Sequence, residues 1–189
     1  MSEPTIIHLM RHGTPVLTGC FLGHTDCAVT AGGIDACRAA AEGLRFGGLV
    51  ASDLQRAAHS AAAIADDRGI VARLDSRWRE LDFGDWDGRR AADIDAAALG
   101  RFWADPDLDP PPHGERWSAL TTRIGTALAA IDTDTLVVTH AGAMRAALAV
   151  ACGFGRDQAW AFDLTYASVL SLKLWRGAAS GAQIVALRP

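Results

Sequence analysis

Apolar and polar positions along the chain fall into blocks with two different periods. Residues 5–10 form an apolar run that barely alternates, the pattern of a strand buried on both faces. From 30 to 44, Ile34, Cys37, Ala41 and Leu44 recur at three- and four-residue steps, which predicts a helix with one apolar face and Thr30 as its N-cap. Gly47-Gly48 ends that block, and residues 49–52 read as a second strand. A second helix is predicted over 54–67, ending near Gly69, and a third strand over 70–74. Residues 91–104 predict one or two short helices, 115–131 a helix with Leu120, Ile124 and Leu128 on one face, 136–139 a fourth strand and 142–152 a further helix. Two late strands, 169–175 and 184–187, flank a turn at 177–181 and can pair as a hairpin.

Strands alternating with helices predict an α/β fold, a three-layer α/β/α sandwich around a mostly parallel sheet. At 189 residues it is expected to be one domain, 1–189. Ligands of such sheets sit beyond the carboxyl ends of strands. Arg11-His12-Gly13 and His140-Ala141-Gly142 each follow a predicted strand, which suggests one site shared by both histidines. Two stretches suit neither regular structure. Residues 78–88 mix aromatics, acids and glycines, as functional loops do. The segment 105–114 holds three consecutive prolines and is either a lid over the site or a stiff surface connection.

Composition narrows the function. Half of the residues are hydrophobic, enough for a core without disulfides, and a net charge of −4 argues against nucleic acid as a partner. Cys20, Cys27, Cys37 and Cys152 form no CxxC pair, so no metal site is expected and free thiols in a cytoplasmic protein are the plain reading. No apolar stretch is long enough to span a bilayer, and no membrane partner is expected.

Any positive site must therefore be a local cluster. Arginine forks pair well with phosphate oxygens, and a neutral imidazole is a competent nucleophile near pH 7. His12 is the candidate nucleophile, with Arg11 beside it and His140 opposite. Arg56, at the start of the helix after the second strand, is a second cation near the same sheet edge. The leaving oxygen needs a proton, and Glu80, Asp82, Asp85 and Asp87 are available in the aromatic loop. Glu80 lies nearest the strand end, with Asp82 as its rival. His8, inside a strand, is assigned a structural role, His59 an exposed helix face, and His24 and His113 places in loops. Arg145, one turn into its helix, is expected to pair with a carboxylate.

Four stretches in order resemble the successive signatures of the histidine phosphatase superfamily, which includes the cofactor-dependent phosphoglycerate mutases. They are Arg11-His12-Gly13, Ser52-Asp53-Leu54-Gln55-Arg56-Ala57, Glu80-Leu81-Asp82-Phe83-Gly84-Asp85-Trp86-Asp87-Gly88 and Val138-Thr139-His140-Ala141-Gly142. The resemblance implies a phosphoglycerate mutase-like fold and a metal-independent phosphomonoesterase that needs no cofactor. It implies that His12 is phosphorylated, that Arg11, Arg56, His140 and the N–H of Ala141 hold the phosphate, and that Glu80 is acid then base. Pro15 and Thr18 stand where the family often has Thr and Asn, which makes the Thr18 hydroxyl the stand-in phosphate ligand. Gly23-His24-Thr25-Asp26, the loop 83–88 and Pro112-His113-Gly114-Glu115 resemble the α-ribazole phosphatase branch, with Gly23 in the substrate-binding set. The implied partner is a small phosphomonoester, α-ribazole 5′-phosphate of cobalamin assembly being one. Trp86, Trp103 and Trp117 could stack on a flat leaving group or simply pack loops onto the domain. A mutase-type phosphotransferase and a non-catalytic phosphate-binding adaptor are the competing functions, and a homodimer is compatible with all three.

Overall fold

The computed structural model describes residues 3–175 and 181–189. Six strands form one sheet in the order β3-β2-β4-β1-β5-β6. β1 (Thr5–Arg11), β2 (Gly48–Ala51), β3 (Ala72–Leu74) and β4 (Thr135–Thr139) run parallel, while β5 (Val169–Trp175) and β6 (Gly181–Arg188) add an antiparallel edge. The expected pairing of the late strands is present; most of the turn expected between them, 177–180, lies outside the described residues.

Side-chain alternation along the central strands separates two cores. Ile7, Leu9 and Val137 face one side with α4 (Trp117–Ala129), α5 (Ala141–Cys152) and the aromatic loops. Met10, Leu136 and Val138 face the other with α1 (Ala31–Ala41) and α2 (Gln55–Arg68). A continuous apolar run in β1 and β4 is the signature of strands covered on both faces, and here both are. The three-layer, mostly parallel architecture read from the sequence is the architecture of the molecule.

Differences are local. α1 stops at Ala41, and Leu44 reaches the core from beyond the helix end. Residues 91–104 resolve into a short 3-10 turn at Ala91–Asp93 and α3 (Ala96–Ala104). A short helix, α6 (Arg156–Trp160), has no counterpart in the periodicity, because five residues are too few to show a 3.6-residue pattern. His8 is structural, its ring held between the Ser171 hydroxyl and the Arg45 carbonyl.

Candidate active site

β1 and β4 are neighbours in register, so Arg11 lies opposite Thr139 and the two histidines emerge side by side. The His12 N–H donates to the Thr139 carbonyl at 2.8 Å, which pins the chain as it leaves β1. A Cβ on Gly13 would collide with the Gly33 carbonyl, so glycine lets this loop press on the start of α1. The His12 and His140 rings meet edge to face, 5.0 Å between centroids.

Both imidazoles are buried. Burial first, then the nearby Arg56 charge, pushes the His12 pKa from 6.5 down to about 3, against the Gly13 carbonyl. His140 is also held well below 6.5, by burial and then by Arg56, His12 and Arg11. A neutral ring carries one N–H. His12 Nδ1 lies 2.7 Å from the Gly13 carbonyl, which can only accept, so the proton sits on Nδ1 and Nε2 keeps its lone pair. That leaves a buried, neutral ring with a lone pair available on Nε2.

Arg56 is fully buried in α2, and its guanidinium donates to the carbonyls of Leu22, Gly23 and Thr25 at 2.7–2.9 Å. Asp87 grips the other side of that loop, accepting the N–H groups of Gly23, His24 and Thr25. Arg11 donates to the Leu164 carbonyl and lies 4.0 Å from the centre of the Tyr166 ring. The Nε atoms of both arginines are buried with no partner among the described residues, which leaves each a donor to offer.

Glu80 faces the same pocket. Its oxygens accept the N–H of Leu81 at 2.8 Å and of Gly142, in the first turn of α5, at 3.0 Å. A Cβ on Gly142 would overlap the Glu80 carboxylate, so the glycine of His140-Ala141-Gly142 is what admits the acid. Arg123 fixes the backbone on the other side, donating to the carbonyls of Arg77, Arg79 and Glu80 and pairing with Glu115. Asp82 is turned away, accepting from Gly84 and lying 3.4 Å from His24. Of the two rival acids, Glu80 is the one in the pocket.

The pocket encloses about 220 Å³. Arg11, His12, Glu80, Ala141 and Gly142 line its inner end; His140 and Arg56 are buried beside them. Tyr166 lies against Arg11 and His12, and the remaining walls are Phe21, Phe83, Phe102, Trp103, Trp117 and Trp160. Among the described residues no group of three or more His, Cys, Asp or Glu is placed to hold a metal ion. No helix among them is long and apolar enough to cross a membrane.

Several sequence expectations are corrected by this geometry. Thr18 is exposed and does not line the pocket, so the structure gives its expected phosphate role no support. Gly23 holds Arg56 through its carbonyl, and its N–H is spent on Asp87. Trp86 packs in the core against Phe102, as a loop anchor does, while Trp103 and Trp117 do reach the pocket. Among the described residues Arg145 has no carboxylate within salt-bridge distance. It lines the pocket, donates to the Phe162 carbonyl and leaves its Nε without a partner. The segment 105–114 contributes one wall residue, Pro106, and is tied at its far end by Asp85 N–H to Pro112 O and Glu115 N–H to Asp82 O. His24 and His113 sit in loops beside Asp82 and Asp85, and His59 is exposed, as read from the sequence.

Other parts went unread. Tyr166 is the only tyrosine of the chain and covers both Arg11 and His12, yet no local pattern marks it. Phe21 and Trp160 come from distant segments for the same reason. Ser52 could have been found, since it leaves β2 as His140 leaves β4, and their side chains meet at 2.9 Å.

The family model of the histidine phosphatase superfamily (branch 1) matches residues 7–185. The chain belongs to that superfamily. With membership goes the enzyme class, a phosphoric monoester hydrolase. The adenosylcobalamin/alpha-ribazole phosphatase of Escherichia coli (strain K12) is 28% identical over 167 residues, 82% of each chain. A glucosyl-3-phosphoglycerate phosphatase of Mycobacterium tuberculosis (strain ATCC 25618 / H37Rv) is 43% identical over 68 residues, 35% of this chain and 30% of that one. Among solved structures, the alpha-ribazole phosphatase from Shigella flexneri superposes with a TM-score of 0.84 at 23% identity over 97% of this chain and 96% of that one, a likeness of fold.

Proposed function

We propose that this histidine phosphatase is a metal-independent phosphomonoesterase that works through a phosphohistidine at His12. The observation that carries this reading is the His12 ring itself: buried, neutral, with Nδ1 committed to the Gly13 carbonyl and Nε2 left free beside Arg11 and Arg56.

In the first step Nε2 attacks phosphorus, the bond to the leaving oxygen breaks, and the carboxyl of Glu80 gives that oxygen its proton. The imidazole now carries the phosphoryl group. Arg11, Arg56, His140 and the Ala141 N–H hold its oxygens, where the start of α5 adds the positive end of its dipole. In the second step the Glu80 carboxylate takes a proton from water, the water oxygen attacks phosphorus, and the N–P bond breaks. Inorganic phosphate leaves and His12 is neutral again. The arginines supply the positive charge the transferring group requires.

The substrate we propose is a small phosphorylated metabolite with a flat leaving group, α-ribazole 5′-phosphate being the first candidate. The aromatic outer walls and the motif likeness to the α-ribazole phosphatase branch support it. Arg145 favours a second reading, a leaving group that carries an acid, as in the phosphoglycerate ester named in the mycobacterial relative. The cytoplasm is the proposed compartment, which suits four free cysteines.

Ranking phosphomonoesters by kcat/KM in the presence of a chelator tests both levels. We expect inorganic phosphate to be released with chelator present and α-ribazole phosphate to lead. Transfer from a bisphosphate donor with little free phosphate would make the protein a mutase, and loss of turnover on chelation would end the metal-free reading.

A further inference from the structure

Ser52 lies at the end of β2 with no exposed surface, and its hydroxyl oxygen is 2.9 Å from Nε2 of His140. The Leu54 N–H, at the entrance to α2, donates to the same oxygen at 3.3 Å. No other partner of this hydroxyl is found among the described residues. A hydroxyl has one proton and must place it. If His140 carried its proton on Nε2, the serine oxygen would accept twice, its own proton would be stranded in the interior, and Nδ1 would hold a buried lone pair that no phosphoryl oxygen can use. If the serine donates to Nε2, the Ser52 hydroxyl is satisfied in both senses: Leu54 N–H to Ser52 oxygen, Ser52 O–H to His140 Nε2. The imidazole proton is then on Nδ1, a buried nitrogen with no partner among the described residues, and that proton alone is left for a ligand to accept.

We propose that Ser52 is a positioning residue that sets the tautomer of His140, so that Nδ1–H is presented as a donor to the transferring phosphoryl group. The proposal rests on the phosphohistidine reading for what the donor is used for, though the tautomer itself does not depend on it. A phosphoryl oxygen can only accept. The opposite tautomer would turn a lone pair toward the ligand, whereas this one adds a neutral donor to two cationic ones. The two histidines then share one tautomer and use it in opposite senses. His12, fixed by a carbonyl, offers the Nε2 lone pair. His140, fixed by a hydroxyl, offers the Nδ1 proton. The relay also ties His140 to the start of the helix that carries Arg56, so one short segment, 52–56, sets two phosphate contacts.

The test is nitrogen-15 NMR of histidine-labelled protein near pH 7.5, free and with inorganic phosphate. We expect His140 to show a protonated Nδ1 and an unprotonated Nε2 in both, with the Nδ1 proton shifting when phosphate binds. A His140 protonated on Nε2, or a Nδ1 proton indifferent to phosphate, overturns the proposal. Alongside it, Ser52→Ala is expected to lower kcat by about 10- to 100-fold and to mix the tautomers, the scale of losing part of one oxyanion donor. Ser52→Thr, which keeps the hydroxyl, should regain most of the rate. Ser52→Ala protein that melts normally and turns over at the wild-type rate also overturns the proposal; should either variant fail to fold, the wild-type spectrum decides alone. Failure of the phosphatase reading would look different, as absence of phosphohistidine with the tautomer unchanged.

Discussion

The two ends of the pocket are built from different materials. At the inner end polar side chains are buried or half-buried and tied to backbone: His12 by the Gly13 carbonyl, Arg56 by three loop carbonyls, Glu80 by two N–H groups. At the outer end six aromatic side chains converge from residues 21, 83, 102, 103, 117 and 160, held mainly by ring packing such as Phe21 on Phe83 and Trp117 on Trp160. Backbone hydrogen bonds fix atoms to fractions of an ångström, which positioned electrostatics requires. Ring packing fixes shape and tolerates exchange. The inner end thus suits one reaction on any phosphoester, and the outer end suits choosing among leaving groups. Inner-end substitutions should lower all substrates together; outer-end substitutions should reorder them.

The largest effect is expected from His12→Ala. Removing the nucleophile should cut kcat on the order of 10⁴-fold for every phosphoester, with the melting temperature little changed. A residual rate that varies with the leaving group would blur the division between the ends. Glu80→Gln should slow turnover by about 10²–10³-fold with KM nearly kept, because it removes a proton and no positive charge. Loss of binding at an unchanged maximal rate would instead point to Asp82. Gly142→Ala is a subtler break, since the new methyl displaces the Glu80 carboxylate without touching its chemistry. A shift of about 1 Å predicts a loss of about 10²-fold in kcat, read in the same assay.

At the outer end, Trp160→Ala and Trp103→Ala should lower kcat/KM for a flat leaving group by about tenfold, the scale of one lost stacking contact, and leave inhibition by inorganic phosphate unchanged. If phosphate inhibition weakens as much as kcat/KM falls, the two ends are not separable. The smallest effect concerns pH. Burial and two arginines favour neutral His12, so its resonance should not titrate near 6.5 and should move only toward pH 3. The unfolded chain takes up that proton first as pH falls. This group therefore withdraws stability below about 6.5 and contributes nothing above it.

The contrast also explains what the sequence made legible. Arg11, His12, Arg56, Glu80 and His140 each stand at or next to the end of an element, so order along the chain maps onto one sheet edge. Double-sided burial of β1 and β4 was equally readable as unbroken apolar runs. The aromatic lining was not, because Phe21, Trp160 and Tyr166 come together only through packing of distant segments, and single aromatics carry no local period. Thr18 is the reverse case: its place came from a motif position alone, and the loop there is exposed. Arg145 was expected to find a carboxylate and instead faces the pocket, because residues near it in the chain do not tell which charges lie across a cavity.

The most direct test of the account is to quench turnover of a radiolabelled phosphoester within milliseconds and locate the label by mass spectrometry. The account predicts an acid-labile, base-stable phosphoryl group on His12, formed and lost at rates that match turnover, persisting longer in Glu80→Gln. Full turnover with no phosphorylated His12 at any time point would contradict it.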